Sequence, residues 1–222
     1  RAVIAGEVLV DDAVAMSAAA KVPASADVRL RLRGDGRFVS RGGRKLQAAL
    51  DGFGVSAQGL RCCDVGSSTG GFTDCLLQAG AAHVACVDVN YGQLAWKVRN
   101  DARVAVFERT NIRTADPAGL GAPFDLVVID VSFIGLASLA PTLAALCVPG
   151  SQLLALVKPQ FEAAHGETDR GVVRDEMVRR RTVEEVSEAL GAAGFQVRGA
   201  IESPVRGPQG NVEYLVHGHY AG

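Results

Sequence analysis

Leu153-Leu154-Ala155-Leu156-Val157-Lys158-Pro159 sets a wholly apolar run against a terminal lysine, and the proline bars the strand from continuing. Lysine is rarely buried without a partner, so an amine at the carboxyl end of a core strand suggests a site that needs one. Two more stretches lead to the same rim. Asp64-Val65-Gly66-Ser67-Ser68-Thr69-Gly70-Gly71-Phe72 reads as strand, glycine-rich turn and helix start, and Phe124-Asp125-Leu126-Val127-Val128-Ile129-Asp130 is a second apolar strand ending on a carboxylate. In open α/β sheets ligands sit beyond the carboxyl ends of the strands, which makes Asp64, Asp130 and Lys158 candidates for one site. The small residues of the turn let backbone approach a ligand at a helix amino terminus. Further on, Asp88 ends the next strand, where an acid can hold ribose hydroxyls. Turn and spaced acid together fit a nucleoside-containing cofactor, NAD or S-adenosylmethionine. The Gly-x-Gly-x-x-Gly spacing of a dinucleotide site is missing, and Asp64 would repel a pyrophosphate while suiting a cationic ligand, which favours S-adenosylmethionine.

These residues need a scaffold that brings strand ends together. Leu46, Ala49, Leu50 and Phe53 recur at helical spacing from Gly43 and stop at Gly54, which places Lys45 in a first helical turn. After that, strands and helices alternate: strand 60–65, helix 71–79, strand 83–89, helix 92–100, strands 103–108 and 124–130, helix 134–147, strand 152–158 and helix 174–191. The expected fold class is therefore α/β, a Rossmann-like sheet with helices on both faces. Strands 195–202 and 211–217 follow with no helix between them, so the last strand should run antiparallel and carry Glu213 to the rim of Asp64, Asp88, Asp130 and Lys158.

Ahead of this domain, residues 1–33 read as a short helix end, Gly6, a strand Glu7-Val8-Leu9-Val10, a turn at Asp11-Asp12 and a second strand near Val28–Leu32. That is too little to fold alone, and is read as part of a small domain whose first elements precede this sequence. Residues 34–40, with Gly34-Asp35-Gly36 as a hinge, form a linker, and 41–222 the main domain.

With 222 residues and 48% hydrophobic content the chain can bury one sizeable core. It shows no apolar run of membrane-spanning length and no leader, which suggests a soluble, cytoplasmic protein without membrane partners. The five cysteines, Cys62, Cys63, Cys75, Cys86 and Cys147, lie within apolar patterns without metal-ligand spacing, so they read as reduced core thiols, and no metal site is expected. His217 and His219 read as surface residues, His165 as part of a polar loop, and Trp96 as core packing. A net charge of -1 argues against a protein that coats nucleic acid. Locally, however, Arg29, Arg31, Arg33, Arg37, Arg41, Arg44 and Lys45 are opposed only by Asp35. The strip is either a candidate phosphate contact or a solvated linker.

Taken together, Ser40-Arg41-Gly42-Gly43-Arg44-Lys45-Leu46, the Asp64–Thr73 turn, Asp88-Val89-Asn90-Tyr91-Gly92-Gln93-Leu94, Asp130-Val131-Ser132-Phe133-Ile134, Lys158-Pro159-Gln160-Phe161-Glu162 and Gly210-Asn211-Val212-Glu213-Tyr214 resemble the TlyA (hemolysin A) family of FtsJ-like methyltransferases. The likeness runs from about residue 40 to 217. Ile4-Ala5-Gly6-Glu7-Val8-Leu9-Val10 resembles the tail of the S-four-type RNA-binding domain that precedes the catalytic domain in that family. The resemblance implies methyl transfer from S-adenosylmethionine to a ribose 2′-hydroxyl of ribosomal RNA, naked or in ribosomal subunits, with cytidine the target. It places the catalytic Lys-Asp-Lys-Glu set on Lys45, Asp130, Lys158 and Glu213. The cofactor would be held by Asp64, Gly66, Ser67, Ser68, Thr69, Gly70, Gly71, Phe72, Asp88, Val89, Asn111 and Asp130, with Asp88 at the ribose and Asn111 at the adenine. RNA would meet Arg37, Arg41 and Arg44.

A ribose hydroxyl is a poor nucleophile, so methyl transfer needs proton removal and in-line positioning. Lys158 is the expected base, with Asp130 and Glu213 orienting it or relaying its proton. Three other functions compete. A membrane-active toxin lacks an amphipathic basic helix and a spanning segment. A catalytically silent RNA-binding protein would have no need of all four catalytic residue types. A small-molecule methyltransferase leaves the arginine strip without a purpose.

Overall fold

The computed structural model describes residues 8–11, 13–15, 17, 19–23, 25–30, 36–164 and 166–222. Several positions singled out above (residues 1–7, Asp12, Arg31, Arg33, Gly34, Asp35 and His165) lie outside them. The described part of the amino-terminal segment is a small antiparallel sheet of β1 (Val8–Val10), β2 (Ala13–Val14) and β3 (Val28–Leu30), with β1 in the middle.

The main sheet is entered through α1 (Gly42–Phe53), whose apolar stripe buries Leu46, Ala49 and Leu50 and which ends on Gly54 in the left-handed region, where glycine carries no Cβ penalty. Then come β4 (Arg61–Val65), α2 (Gly71–Gln78), β5 (His83–Val87), α3 (Trp96–Arg99), β6 (Val104–Phe107), β7 (Leu126–Ile129), α4 (Ala140–Ala144), β8 (Gln152–Val157), α5 (Pro159–Glu162), α6 (Glu176–Ala192), β9 (Phe195–Glu202) and β10 (Tyr214–Tyr220). The seven strands lie in the order β6-β5-β4-β7-β8-β10-β9. The first five are parallel, and β10 inserts antiparallel between β8 and β9, with Tyr214 opposite Val157. Glu213 thus stands one residue ahead of the last strand, at the edge where β8 ends.

Two apolar layers cover the sheet. Leu46, Leu50, Phe72, Leu76 and Val98 pack one face beneath α1, α2 and α3, and Leu136, Leu143, Val186 and Leu190 pack the other beneath α4 and α6. The central strands β7 and β8 are buried almost along their whole length, which explains their unbroken apolar runs. Cys62, Cys63, Cys75 and Cys86 are buried, Cys147 is half-buried, and all five are free thiols. Burial pushes the Cys62, Cys75 and Cys147 thiols up to about 12, so they are packing residues rather than nucleophiles.

Three elements differ from the sequence reading. Residues 92–100 do not form one helix: Gly92 is left-handed, Ala95 is extended and hydrogen-bonded to the Thr69 carbonyl, and only Trp96–Arg99 is helical. The 134–147 helix is split into a 3-10 turn, Leu136–Leu139, and α4, because Pro141 suits the first turn of a new helix rather than the interior of an old one. Pro159 does more than end β8. It occupies the first turn of α5, which the sequence reading did not include. Trp96 is also corrected: at 80% exposed it is a surface residue, not core.

Candidate active site

Alternation along the strands decides what faces the rim. Cys62, Cys86, Val128, Leu156 and Leu215 all pack into the layer beneath α1 and α2. Side chains two residues away share a face, so Asp64, Asp88, Asp130, Lys158 and Glu213 emerge on that side, over the carboxyl edge of β4, β5, β7 and β8. Lys45 approaches from above, in the first turn of α1.

The result is two ion pairs. Lys45 Nζ meets Glu213 Oε2, with Lys45 8% exposed and Glu213 fully buried. Lys158 Nζ lies 2.5 Å from Asp130 Oδ1 and donates a hydrogen bond to Ser132 Oγ at 2.9 Å. Glu213 Oε1 is buried without a hydrogen-bond partner. An unmatched carboxylate oxygen is costly in such a place, so the pair is poised for one more donor. Gly207 makes room for it: a Cβ there would stand 2.2 Å from Glu213 Oε1.

Lys45 and Asp130 line a cleft of about 210 Å³, open to solvent, together with Ser40, Arg41, Gly42, Gly66, Ser67, Ser68, Thr69, Gly71 and Phe72. Glycine is required at its floor. Gly66 has φ +85, and a Cβ would lie 2.4 Å from the Asp130 carbonyl oxygen; at Gly71 a Cβ would lie 2.1 Å from Ser40 Oγ. The amino termini of α1 and α2 therefore converge on the same space, which presents backbone N–H groups to a ligand.

Of the residues expected at a cofactor, the cleft gathers Gly66, Ser67, Ser68, Thr69, Gly71, Phe72 and Asp130. Gly70 lies just behind it, left-handed at φ +90 and packed toward Leu94. Asp88 is adjacent, its two oxygens accepting the N–H groups of Ser68 and Asn90 at 2.7 Å each, so it staples the glycine turn to the β5 loop. Val89 is 64% exposed on that loop, and Asn111 is exposed in a turn beyond β6, its side chain accepting the Arg113 N–H. Neither lines the cleft. Asp64 does not line it either. It is fully buried below the turn, where Oδ2 accepts a 2.6 Å hydrogen bond from the Thr73 hydroxyl and Oδ1 has no partner. Burial pushes its carboxyl up to about 7, opposed by Thr73 and reinforced by the negative charges of Asp130 and Asp88. Asp64 thus acts through the field it adds below the cleft, not by contact.

The arginines divide similarly. Arg41 is exposed on the cleft, Arg44 is exposed one turn along α1, and Arg37 is exposed over the Phe38 ring with a hydrogen bond to Gln47. Sequence reasoning missed the roles of two residues, Phe133 on the loop after β7 and Glu162 in α5. Phe133, left-handed at φ 65, is 90% exposed, with its ring against Phe161. From α5, Glu162 accepts the Leu136 N–H at 2.5 Å, tying the β7 loop to the segment that follows Lys158; burial pushes its carboxyl above the usual range. Among the described residues no group of three or more metal-ligating side chains occurs, and no helix is long and apolar enough to cross a membrane.

The chain matches the FtsJ-like methyltransferase family over residues 38–220, which takes in the whole cleft. It belongs to that family. The chain is 44% identical over 213 residues, 96% of its own length and 80% of the relative's, to the 16S/23S rRNA (cytidine-2′-O)-methyltransferase TlyA of Mycobacterium tuberculosis. It is 38% identical to Hemolysin A of Brachyspira hyodysenteriae, covering 82% of this chain and 76% of that one. A solved Streptococcus thermophilus structure described as a hemolysin superposes with TM-score 0.84 at 39% identity, covering 100% of this chain and 81% of that one. The fold also extends to magnesium protoporphyrin IX methyltransferase from Synechocystis PCC 6803, solved with bound SAM, at TM-score 0.56, 17% identity and coverage of 82% and 79%.

Proposed function

We propose that this methyltransferase moves a methyl group from S-adenosylmethionine to a ribose 2′-hydroxyl of ribosomal RNA, at a cytidine, in the cytoplasm. The observation that carries the reading is the meeting of two ion pairs, the buried Lys45–Glu213 and the partly exposed Lys158–Asp130, at a glycine-floored cleft. The residues fit the cofactor. Gly66 and Gly71 let the turn pack closely against the Asp130 carbonyl and Ser40, so that its backbone lines the cleft, the hydroxyls of Ser67, Ser68 and Thr69 supply polar contacts, and Asp64, Asp88 and Asp130 favour a cation. S-adenosylmethionine held there supplies an electrophilic methyl group on a sulfonium.

The protein's task is to strip and orient the acceptor. Lys158 takes the proton of the 2′-hydroxyl, and Asp130 fixes the amine that receives it. Lys45, neutralised by Glu213, presents N–H donors to the ribose oxygen without adding net charge. Arg41 and Arg44 meet phosphates, and the exposed Phe133 ring offers a face on which an unpaired base stacks. Residues 1–33 act as part of an RNA-binding module joined through residues 34–40 to the catalytic domain, 41–222. Transfer of labelled methyl to purified ribosomal subunits and to naked rRNA tests the reading: label on a ribose 2′-oxygen, lost in Lys158→Ala, is the expected result. Intact single-turnover methylation by Lys158→Ala would refute the base.

A further inference from the structure

We infer that Ser132 is a positioning residue for the transfer, because its hydroxyl accepts the hydrogen bond that aims the Lys158 nitrogen while the Asp130 carboxylate holds that nitrogen in an ion pair. The inference rests on the reading of Lys158 as the base. An ammonium carries three N–H donors; a neutral amine carries two and one lone pair. Among the described residues, Nζ forms an ion pair with Asp130 Oδ1 at 2.5 Å and donates a hydrogen bond to Ser132 Oγ at 2.9 Å, with the Phe161 ring 6.0 Å away. The ion pair sets where the nitrogen sits, and the directional hydrogen bond sets how its head group is turned. With Asp130 alone the head group can turn about the Cε–Nζ bond, and the lone pair is no longer aimed.

The two partners are held as a unit. Both come from the loop after β7, and Glu162, four residues beyond Lys158, ties the far end of that loop through the Leu136 N–H. The Phe133 and Phe161 rings, 5.2 Å apart, join the same two segments midway. Ser132 itself is exposed, so its own hydroxyl could be satisfied by water. Among the described residues, its one hydrogen bond to a side chain is to the buried Lys158.

In the acceptor step the 2′-O–H bond breaks, its proton forms a third N–H bond on the neutral Lys158 amine, and the oxygen keeps the electron pair that forms the O–CH3 bond, while the bond from methyl to the sulfonium breaks and its pair stays on sulfur as the neutral thioether leaving group. Ser132 neither gains nor loses a proton. Its removal therefore lowers the rate of the step while leaving binding alone, as loss of alignment does.

The test compares wild type, Ser132→Ala, Ser132→Thr and Lys158→Ala in steady-state methylation of purified ribosomal subunits, with cofactor affinity measured by calorimetry as the check on folding. Ser132→Ala is expected to lose roughly tenfold to a hundredfold in kcat, part of the ~10²–10⁴ that a general base supplies, with the KM for subunits and the cofactor Kd within about twofold. Ser132→Thr, which keeps the hydroxyl, is expected to recover most of kcat. An inactive Lys158→Ala beside a fully active Ser132→Ala overturns the role of Ser132 and leaves the base in place. An active Lys158→Ala removes the base and this inference with it. Equal losses in Ser132→Ala and Ser132→Thr, or a loss carried in KM, would show a steric role and overturn the inference.

Discussion

Asp64→Asn isolates the buried carboxylate beneath the glycine turn, and its effect is set by pH. In the folded protein the Asp64 carboxyl is pushed up to about 7, first by burial, against an ordinary value near ~3.9. Folded and unfolded chains therefore differ by one proton between about pH 4 and pH 7, with the folded state holding it. The folded pKa is raised for an acid, so stability is fully present below about pH 4 and falls as pH rises, by about 1.4 kcal/mol per pH unit. Over roughly three units the loss is about 4 kcal/mol, complete above about pH 7. Asparagine has no charge to bury, and its carbonyl oxygen can still accept from Thr73. Urea unfolding of the cofactor-free protein at intervals from pH 4 to pH 8 reads the effect as the variant's stability minus that of wild type. Titrating groups that do not feel the Asp64 charge cancel in that difference; Asp130 and Asp88, which do, add smaller contributions. It should climb by about 4 kcal/mol and level off. A difference constant across the range would mean that Asp64 ionises at its ordinary value, and the account of the site's field would fail.

Gly207→Ala drives a methyl group to within 2.2 Å of Glu213 Oε1. The Lys45–Glu213 pair must shift, with an overpacking cost of about 1–3 kcal/mol in thermal or urea unfolding; kcat should fall while calorimetry shows an unchanged cofactor Kd, and unchanged kcat would show that Glu213 has room to spare. Neutralising Arg41 and Arg44 together should weaken RNA binding uniformly across sequences. If each contacts one phosphate, the slope of log affinity against log salt drops by about 1.4 on single-stranded RNA and by up to about 1.8 on a duplex, and an unchanged slope in a salt titration removes both from the footprint.

The sequence disclosed the strand ends because those are marked in one dimension. An apolar run stopped by Asp64, Asp130 or Lys158, with glycines or proline beyond it, leaves few other readings. What lies across elements was not marked. Trp96 sits in an apolar-looking stretch, Leu94-Ala95-Trp96, yet only Leu94 and Val98 turn inward, because the left-handed Gly92 and the extended Ala95 delay the helix and change its phase. Ser132 and Glu162 matter through contacts 26 residues distant, Lys158 and Leu136 respectively, which no local pattern records. Gly207 matters because of what occupies the space its missing Cβ leaves.

The allocation of partners within the four catalytic candidates shows the same limit most plainly. Register sets Tyr214 opposite Val157, so the next step along both strands brings Glu213 toward Lys158, and adjacency in the sheet alone suggests that pair. The structure instead gives Glu213 to Lys45 and Asp130 to Lys158. All four side chains lie on one side of the sheet, so the pairing follows from where each is carried. Lys45 comes down from α1 beside Glu213, while Asp130 leaves β7, the parallel neighbour of β8, beside Lys158. Two separately neutralised pairs cost less to bury than one lysine between two carboxylates with the other lysine unmatched. They also differ in surroundings: Glu213 is wholly enclosed, whereas the Asp130 side chain is 22% exposed. The two lysines are equally enclosed, each side chain 10% exposed, so the pairs differ on the carboxylate side: Asp130 opens onto the cleft and Glu213 does not. That asymmetry supports the proposal that Lys158 is the base, because its partner meets water and can help pass the proton on.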